Sequence, residues 1–250
     1  ENTMKLRTFF IIALVFCGSA LHSNAAVEKL KPVDIIAKHL DAVGTAEKRA
    51  QTKNQLVVGE AAFRILRAGS GTTSGRVVLA SESNKFFIGA VFMSPEYPAD
   101  RISFDGKEVN IANTQPGLRS PFGNFIFSNK QVFSEGLFGG VLSNSWSLYD
   151  LERRQAKVIG GGTKKINGVE TYVIEYLPKR GADAAIRLFF DAKTFHHIRT
   201  EYLLRFSAAQ GRTIEQSSRE SDGRHILTEE FSEFSNESGL VLPHKYRIHL

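Results

Sequence analysis

The chain has 250 residues, of which 42% are hydrophobic and 23% charged, and its formal net charge is +6 at pH 7. This apolar content is enough for a sizeable core, and no Pro-rich, Ser-rich or like-charged stretch divides the chain, so we expect one domain. The basic residues are scattered and form no recognisable nucleic-acid-binding module, which excludes a nucleic-acid partner from our expectations.

The first residues have the pattern of a secretory signal. Lys5 and Arg7 precede the apolar run FFIIALVF at residues 9–16, and small residues follow it. The run is too short to span a bilayer as a mature helix. We therefore assign residues 1–25 to a signal peptide and residues 26–250 to one mature domain that is exported to the periplasm.

The single cysteine, Cys17, directly follows this apolar run. A lipid-modified cysteine of a bacterial lipoprotein occupies such a position, but the residue before it would need to be small, and here it is Phe16. A cysteine inside the removed signal is the favoured interpretation, and lipidation is the alternative. On the favoured interpretation the mature chain contains no disulfide, although it is exported.

An amphipathic helix is predicted at residues 32–44, PVDIIAKHLDAVG. Val33, Ile36, Leu40 and Val43 recur at intervals of three and four residues, so they share one stripe of a helix. The proline at the start and the glycine at the end of this segment suit the two helix termini. Because strand patterns follow, we expect this helix to cover a β-sheet.

About ten strands are predicted after this helix, at 55–67, 76–80, 85–93, on both sides of Asp105-Gly106, and at 157–166, 169–177, 185–191, 197–206, 224–234 and 242–250. Asp105-Gly106 and Asn167-Gly168 are strong hairpin signals, because their residues tolerate positive φ. The predicted fold is mainly β with covering helices (α+β). We expect a single curved antiparallel sheet that forms an open half-barrel, with the N-terminal helix on its concave side. The last strand has no polar exit at Leu250, so a further strand is expected beyond it.

Residues 115–146 interrupt the strand pattern with many large apolar side chains. Residues 115–129 are predicted as a loop, and residues 131–142 as a short helix weakened by three glycines. The apolar side chains must be buried somewhere. A lid packed permanently on the core and a gate that moves remain alternatives.

Several segments carry a resemblance to a known family. In chain order they are the helix DIIAKHLDAVG, the hairpin Phe104–Gly106, KINGVETYVIEY at 165–176, FFDAKT at 189–194, and the terminal EEFSEFSNESGLVLPHKYRIHL. With the export signal, they resemble the LolA-like superfamily of bacterial outer-membrane lipoprotein-sorting proteins over nearly the whole mature chain. The resemblance implies a half-open β-barrel closed by helices, a hydrophobic cavity that holds acyl chains, no cofactor and no covalent chemistry.

The function that this resemblance implies is a periplasmic lipid- or lipoprotein-binding protein. It would be a monomer that carries acylated cargo toward the outer membrane, with a membrane protein as donor or acceptor. The alternative is an envelope-stress sensor or regulator of the same fold that binds a membrane-anchored partner. A carrier of this family uses a buried arginine to hold its helices shut, and Arg64 is the candidate here.

A physical argument also favours a lipid site. The concave face of a wide sheet must be filled by side chains, by a helix or by a ligand. The inward-facing candidates are rich in aromatic residues, and an acyl chain buried among them gains roughly 0.8 kcal/mol per CH₂. The cavity residues predicted by this argument are Ile36, Leu40, Phe63, Ile65, Phe104, Phe138, Tyr172, Ile174, Tyr176, Leu188, Phe190, Tyr202 and Leu204. These rings could instead fill the interior as core.

No catalytic or metal-binding motif stands out. His196 and His197 are adjacent in a predicted strand, so they point to opposite faces, and the other histidines have no ligand-like spacing. The chain has no GxSxG motif, and its glycine-rich stretches lie between strands without a following helix. We therefore expect no metal site and no enzymatic activity. A hydrolase acting on envelope components is the third hypothesis, after the carrier and the sensor.

Overall fold

The structure is a computed structural model that describes residues 28–64, 66, 71–206 and 223–250. The predicted signal peptide, with its cysteine, lies outside these residues. Within the described part, no helix is long and apolar enough to cross a membrane.

The described residues form eleven strands and five α-helices. The helices are α1 (Pro32–Val43), α2 (Ala46–Gln51), α3 (Pro121–Ser128), α4 (Lys130–Ser134) and α5 (Leu151–Arg154). The strands are β1 (Asn54–Arg64), β2 (Thr72–Glu82), β3 (Lys85–Phe92), β4 (Ala99–Phe104), β5 (Val109–Ile111), β6 (Lys157–Ile166), β7 (Val169–Leu177), β8 (Ala184–Asp191), β9 (His197–Phe206), β10 (Gly223–Glu237) and β11 (Leu240–His249). The mainly β, α+β class is confirmed.

The strands form two antiparallel meander sheets, β1-β2-β3-β4-β5 and β11-β10-β9-β8-β7-β6. The expectation of a single continuous sheet is therefore wrong. The break follows β5, which is only three residues long and pairs with β4 alone. From residue 112 to residue 156 the chain leaves the strands, and we call this segment the insert.

The predicted hairpin turns are confirmed. Asn167 and Gly168 have φ of 49° and 87° and connect β6 to β7. Gly106 has a φ of 99° in the turn between β4 and β5. In that turn the Asp105 carboxylate accepts hydrogen bonds of 2.8 Å from the backbone N–H groups of Lys107 and Glu108.

Helix α1 crosses the inner face of the six-stranded sheet. Pro32, at its start, lies beside Gly160 on the edge strand β6, and Gly44, just after its end, lies beside Leu240 on the opposite edge strand β11. A 12-residue helix is about 18 Å long, whereas six flat strands are about 24 Å wide. The sheet therefore curls around α1, which lies on its concave side.

The buried stripe of α1 differs from the predicted one. Its buried residues are Ile35, Ile36, His39 and Val43, whereas Val33 is 59% exposed. The helix is turned toward His39 because the Nδ1 atom of this residue forms a 2.7 Å hydrogen bond with the backbone carbonyl of Phe195. A histidine thus occupies the position where the periodicity predicts an apolar side chain.

The insert contains a helix, α3, where a loop was expected. The hydroxyl of Ser120 accepts a 2.8 Å hydrogen bond from the N–H of Gly123 and so caps α3. The second predicted helix is shorter than expected, because α4 ends at Ser134. Gly136 follows with a φ of +69°, and a Cβ there would lie 2.0 Å from the carbonyl oxygen of Ser145.

Candidate functional site

Most of the predicted cavity residues come together in one apolar cluster between the two sheets. Its buried members among them are Ile36, Phe104, Phe138, Tyr172, Ile174, Tyr176, Leu188, Phe190 and Tyr202. Leu40 and Leu204 are partly buried and pack against it. The same cluster contains residues of α1, of both sheets and of the insert, so the inner faces of the two sheets share a single core.

Two predicted cavity residues are not members of this cluster. Phe63 instead stacks on Tyr97, with ring centroids 3.9 Å apart, and also contacts Phe92. These three rings form a separate group at the far end of β1. Ile65 lies outside the described residues.

The insert fills the space between the two sheets with its own side chains. Phe133 lies 5.4 Å from Phe86 of β3 and 5.5 Å from Phe138, measured between ring centroids. Phe138 in turn stacks on Tyr202 of β9 at 5.1 Å, with the rings 2° from parallel. A row of four aromatic rings therefore connects the two sheets, and the described conformation has the lid packed onto the core.

A cavity of about 300 Å³ lies where α1, α2 and the two sheets meet. Its lining includes Leu40, Tyr149 and Leu240, and all three also belong to the apolar core or pack against it. Arg49 of α2 lines the same cavity. The cavity is thus separated from the interior by residues of the core itself. A second cavity, of about 360 Å³, is lined by residues 175–187 at the β7–β8 hairpin.

Arg49 fastens the end of α1. Its Nη1 atom donates a 2.5 Å hydrogen bond to the carbonyl of Leu40 and a further hydrogen bond to the carbonyl of Gly44. The Leu40 carbonyl also accepts a 3.3 Å hydrogen bond from the N–H of Gly44. The guanidinium adds a charged donor there, which opposes the negative end of the helix dipole. Arg64, the predicted candidate for this role, is exposed at the end of β1.

The insert is fastened to the sheets by polar contacts. The N–H of Gly139 donates a 2.8 Å hydrogen bond to the Glu229 carboxyl of β10. The side-chain amide of Asn144 donates a 3.0 Å hydrogen bond to the carbonyl of Thr52. The backbone N–H of Asn144 donates a 2.9 Å hydrogen bond to the hydroxyl of Ser81 in β2. These bonds attach the insert to each sheet separately.

Glu229 is a fully buried carboxyl without a basic partner among the described residues. The hydroxyls of Tyr202 and Tyr246 each donate to it at 2.5 Å, in addition to the N–H of Gly139. Burial raises the pKa of Glu229 to about 7, although these three hydrogen bonds oppose the rise. The group therefore changes its protonation state near neutral pH.

Three buried rings with unpaired nitrogens meet beneath α1. Trp146 of the insert lies 4.9 Å from His39 and 5.1 Å from His197, measured between centroids. The His39 Nε2, His197 Nδ1 and Trp146 Nε1 atoms have no hydrogen-bond partner among the described residues. Burial lowers the pKa of His39 to about 3 and holds the pKa of His197 well below its ordinary value, so both imidazoles are neutral at pH 7.

The two adjacent histidines have separate surroundings. His197 is buried beside Trp146, whereas His196 stacks on Phe234 at 4.4 Å. Across the described residues, no group of three or more His, Cys, Asp or Glu side chains is placed to hold a metal ion.

The sequence arguments missed Arg49, Glu229 and His39. A signal for Arg49 exists, because a basic residue five positions after the glycine that ends α1 can reach the last helical carbonyls. Glu229 and Glu230 are adjacent in a strand, so alternation turns them to opposite faces, but it does not say which of the two is buried. In the structure Glu230 lies near the Arg199 guanidinium, and Glu229 is the buried one.

Comparisons with known proteins were made at three levels. No protein-family model matches the chain, and no curated protein matches it in a sequence search. Similar solved structures include a LolA superfamily protein from Nitrosomonas europaea, with 12% identity, a TM-score of 0.42 and coverage of 88% of this chain and 86% of that chain. A DUF1329 family protein from Desulfovibrio piger has 12% identity, a TM-score of 0.40 and coverage of 88% and 87%.

A third similar structure is a candidate outer membrane lipoprotein-sorting protein domain from Vibrio parahaemolyticus. It has 12% identity and a TM-score of 0.40, and 85% of each chain is covered. A LolA superfamily protein is thus among the solved structures that are similar to this chain.

Proposed function

We propose that this chain is an exported lipid-binding protein that takes an acyl chain of a lipid or lipoprotein into the space between its two sheets. The observation that carries the proposal is the cavity beside Arg49. Its wall residues Leu40, Tyr149 and Leu240 belong to the apolar core or pack on it, so moving them joins the cavity to the interior.

The interior has the chemistry that an acyl chain requires. The core is mainly aliphatic and aromatic, and each CH₂ of a ligand buried there gains roughly 0.8 kcal/mol. The cavity also has polar lining residues, Arg49, Thr52, Gln55 and Asn144. At about 300 Å³ the resting cavity has the size of a small ligand pocket. A full acyl chain needs a larger volume. The insert provides it when its row of aromatic rings moves away from the sheets.

Opening of the space between the two sheets requires that two polar contacts break. Arg49 must leave the carbonyls of Leu40 and Gly44 before the end of α1 can lift. The Gly139–Glu229 hydrogen bond must break before the insert leaves β10. Each is a charge-assisted or buried polar contact of modest net strength. A closed resting state and an open loaded state can therefore differ by only a few such contacts.

The proposed role is transport without covalent chemistry. The cargo is an acylated molecule, the donor and acceptor are membranes or membrane proteins, and no cofactor takes part. The export signal supports a periplasmic location. A sensor of the same fold would also bind lipid, but it would form a lasting complex with a membrane-anchored partner, whereas a carrier releases its cargo to acceptor vesicles.

The experiment is a titration of the processed chain with a dansyl-labelled fatty acid, which fluoresces when it is buried. We expect saturable binding that unlabelled fatty acid displaces, and faster uptake by Arg49→Ala, because α1 is then less firmly closed. Arg64→Ala is the matched control, since that arginine is exposed, and it should behave as the wild type. Absence of saturable binding in the wild type and in Arg49→Ala alike would refute the proposal.

A further inference from the structure

The outer face of the five-stranded sheet exposes large apolar side chains. Leu56 is 68% exposed, Val58 65%, Val91 55% and Met93 87%. A single exposed apolar residue is ordinary on a soluble protein. Leu56 and Val58 of β1 and Val91 of β3, however, lie on the same face of the sheet, because strand alternation turns their neighbours toward the core. Met93 directly follows β3.

The register of the strands joins these side chains into one patch. Val58 of β1 lies opposite Val78 of β2, which lies opposite Gly89 of β3. In the next row Leu56 lies opposite Ala80. Rows on one face are about 7 Å apart and strands about 4.8 Å apart, so Leu56, Val58, Val78 and Ala80 are in mutual reach. Val91 lies one row further along, on β3, opposite Arg76.

Two arginines share this face: Arg76 of β2 lies between the apolar side chains of β1 and β3, and Arg101 of β4 lies at their edge. Arg76 lies opposite Val91, and Arg101 of β4 lies opposite Gly89. Both are exposed, and within the described part of the chain neither is at ion-pair distance from a carboxylate. The acidic residue within these rows is Glu60, opposite Arg76. The face therefore has a net positive charge at these positions.

We propose that this surface, the β1–β3 face (Leu56, Val58, Arg76, Val91, Met93 and Arg101), docks on an anionic lipid bilayer. An apolar surface that also carries cations matches the acyl boundary and negative headgroups of such a bilayer. The face is an open sheet surface, and the two cavities described above lie elsewhere. A planar membrane therefore suits it better than a peptide, which needs a groove.

Docking goes beyond the proposed lipid-binding function and does not depend on it, because the β1–β3 face is turned away from the interior. It would bring the chain to the surface where acylated molecules reside. A second copy of the chain is the competing occupant, since β1 is an edge strand of the described sheet and could pair with another β1.

The experiment is co-sedimentation of the processed chain, its N-terminus checked by intact mass, with phosphatidylglycerol and phosphatidylcholine vesicles. We expect binding to the anionic vesicles only. The double variant Leu56→Ser/Val58→Ser should bind about tenfold more weakly or worse, and Arg76→Gln/Arg101→Gln should lose a similar factor. Ile159→Ser is the matched control, because Ile159 is 51% exposed on the other sheet, and it should bind as the wild type.

Three results would overturn docking: no wild-type binding, equal binding to both vesicle types, or equal losses in the Leu56/Val58 variant and in Ile159→Ser. A wild-type dimer in sedimentation velocity without vesicles, abolished by the Leu56/Val58 variant, would overturn it in favour of a second copy. Dansyl-fatty-acid binding without vesicles separates the two proposals, since the Leu56/Val58 variant should retain it. Fatty-acid binding can fail while membrane docking holds, and docking can fail while fatty-acid binding holds.

Discussion

The Nη1 atom of Arg49 donates a 2.5 Å hydrogen bond to the backbone carbonyl of Leu40, across the junction between α2 and the end of α1. This contact closes the corner where the 300 Å³ cavity approaches the apolar interior. The contact ties α2 to the end of α1, although α2 itself has no buried residue.

Replacing Arg49 with alanine should lower the free energy of unfolding by about 1–3 kcal/mol, because the carbonyls of Leu40 and Gly44 at the end of α1 lose a charged donor. Hydrogen exchange should accelerate at the amides in the last turn of α1. Urea unfolding and exchange mass spectrometry measure the two effects. Arg64→Ala should change stability by less than about 0.5 kcal/mol. Equal effects of the two variants would contradict the assigned role.

Glu229→Gln should make stability less dependent on pH. In the unfolded chain this carboxyl releases its proton near its ordinary pKa of 4.5, whereas in the folded protein its pKa is about 7. Between these values the folded state binds more protons, so rising pH lowers wild-type stability. The stability of the variant relative to wild type should therefore increase by about 2–3 kcal/mol from pH 5 to pH 8. Urea unfolding at both pH values measures this, and a constant difference would contradict the buried, proton-exchanging carboxyl.

His39→Gln should protect the protein against acid. Burial lowers the pKa of His39 to about 3 from its ordinary 6.5, so below pH 6.5 the unfolded state binds the proton and the folded state does not. Wild-type stability should therefore fall between pH 7 and pH 4, by about 3 kcal/mol for this residue alone. The variant should lack this pH-dependent loss of stability. The weaker bond to Phe195 lowers the stability of the variant equally at both pH values. Chemical denaturation at the two pH values tests this, with His225→Gln as a comparison on β10.

Phe138→Ala should break the row of rings between the sheets. The side chain is completely buried, so the expected loss is about 3–5 kcal/mol. The cavity left behind should also strengthen the binding of a short fatty acid. Phe127→Ala, at a 46% exposed ring, is the control and should cost about 1 kcal/mol or less. Similar losses in the two variants would show that the insert does not fill the interior as described.

The sequence predicted the β-rich class, the hairpin turns and most of the apolar interior, because strand alternation and Asn-Gly turns are local signals. It did not predict two sheets. The first sheet ends at β5, because this strand has only three residues and the chain then leaves the strands to form the insert. Phe138 and Tyr202 were both predicted to be inward-facing. Their stacking, which fills the interior, depends on how far the insert penetrates, and no local pattern encodes that depth.

The roles of single polar residues were less predictable for the same reason. The contact between Arg49 and Leu40 follows from the angle between two short helices. The inward position of Glu229 follows from the register of β10 against β9 and β11. The position of His39 follows from a carbonyl 156 residues away. These tertiary relationships decide which polar groups are buried.

The most direct test of the central claim is native mass spectrometry of the processed chain purified from the periplasm, followed by solvent extraction and lipid analysis. The account predicts a population that carries additional mass equal to one lipid or acylated molecule, and an extract that contains that species. It also predicts that Arg49→Ala exchanges this ligand faster than Arg64→Ala when acceptor vesicles are added. A protein that has only its polypeptide mass, and still does after incubation with lipids and acylated peptides, would contradict the account and leave the aromatic interior as core alone.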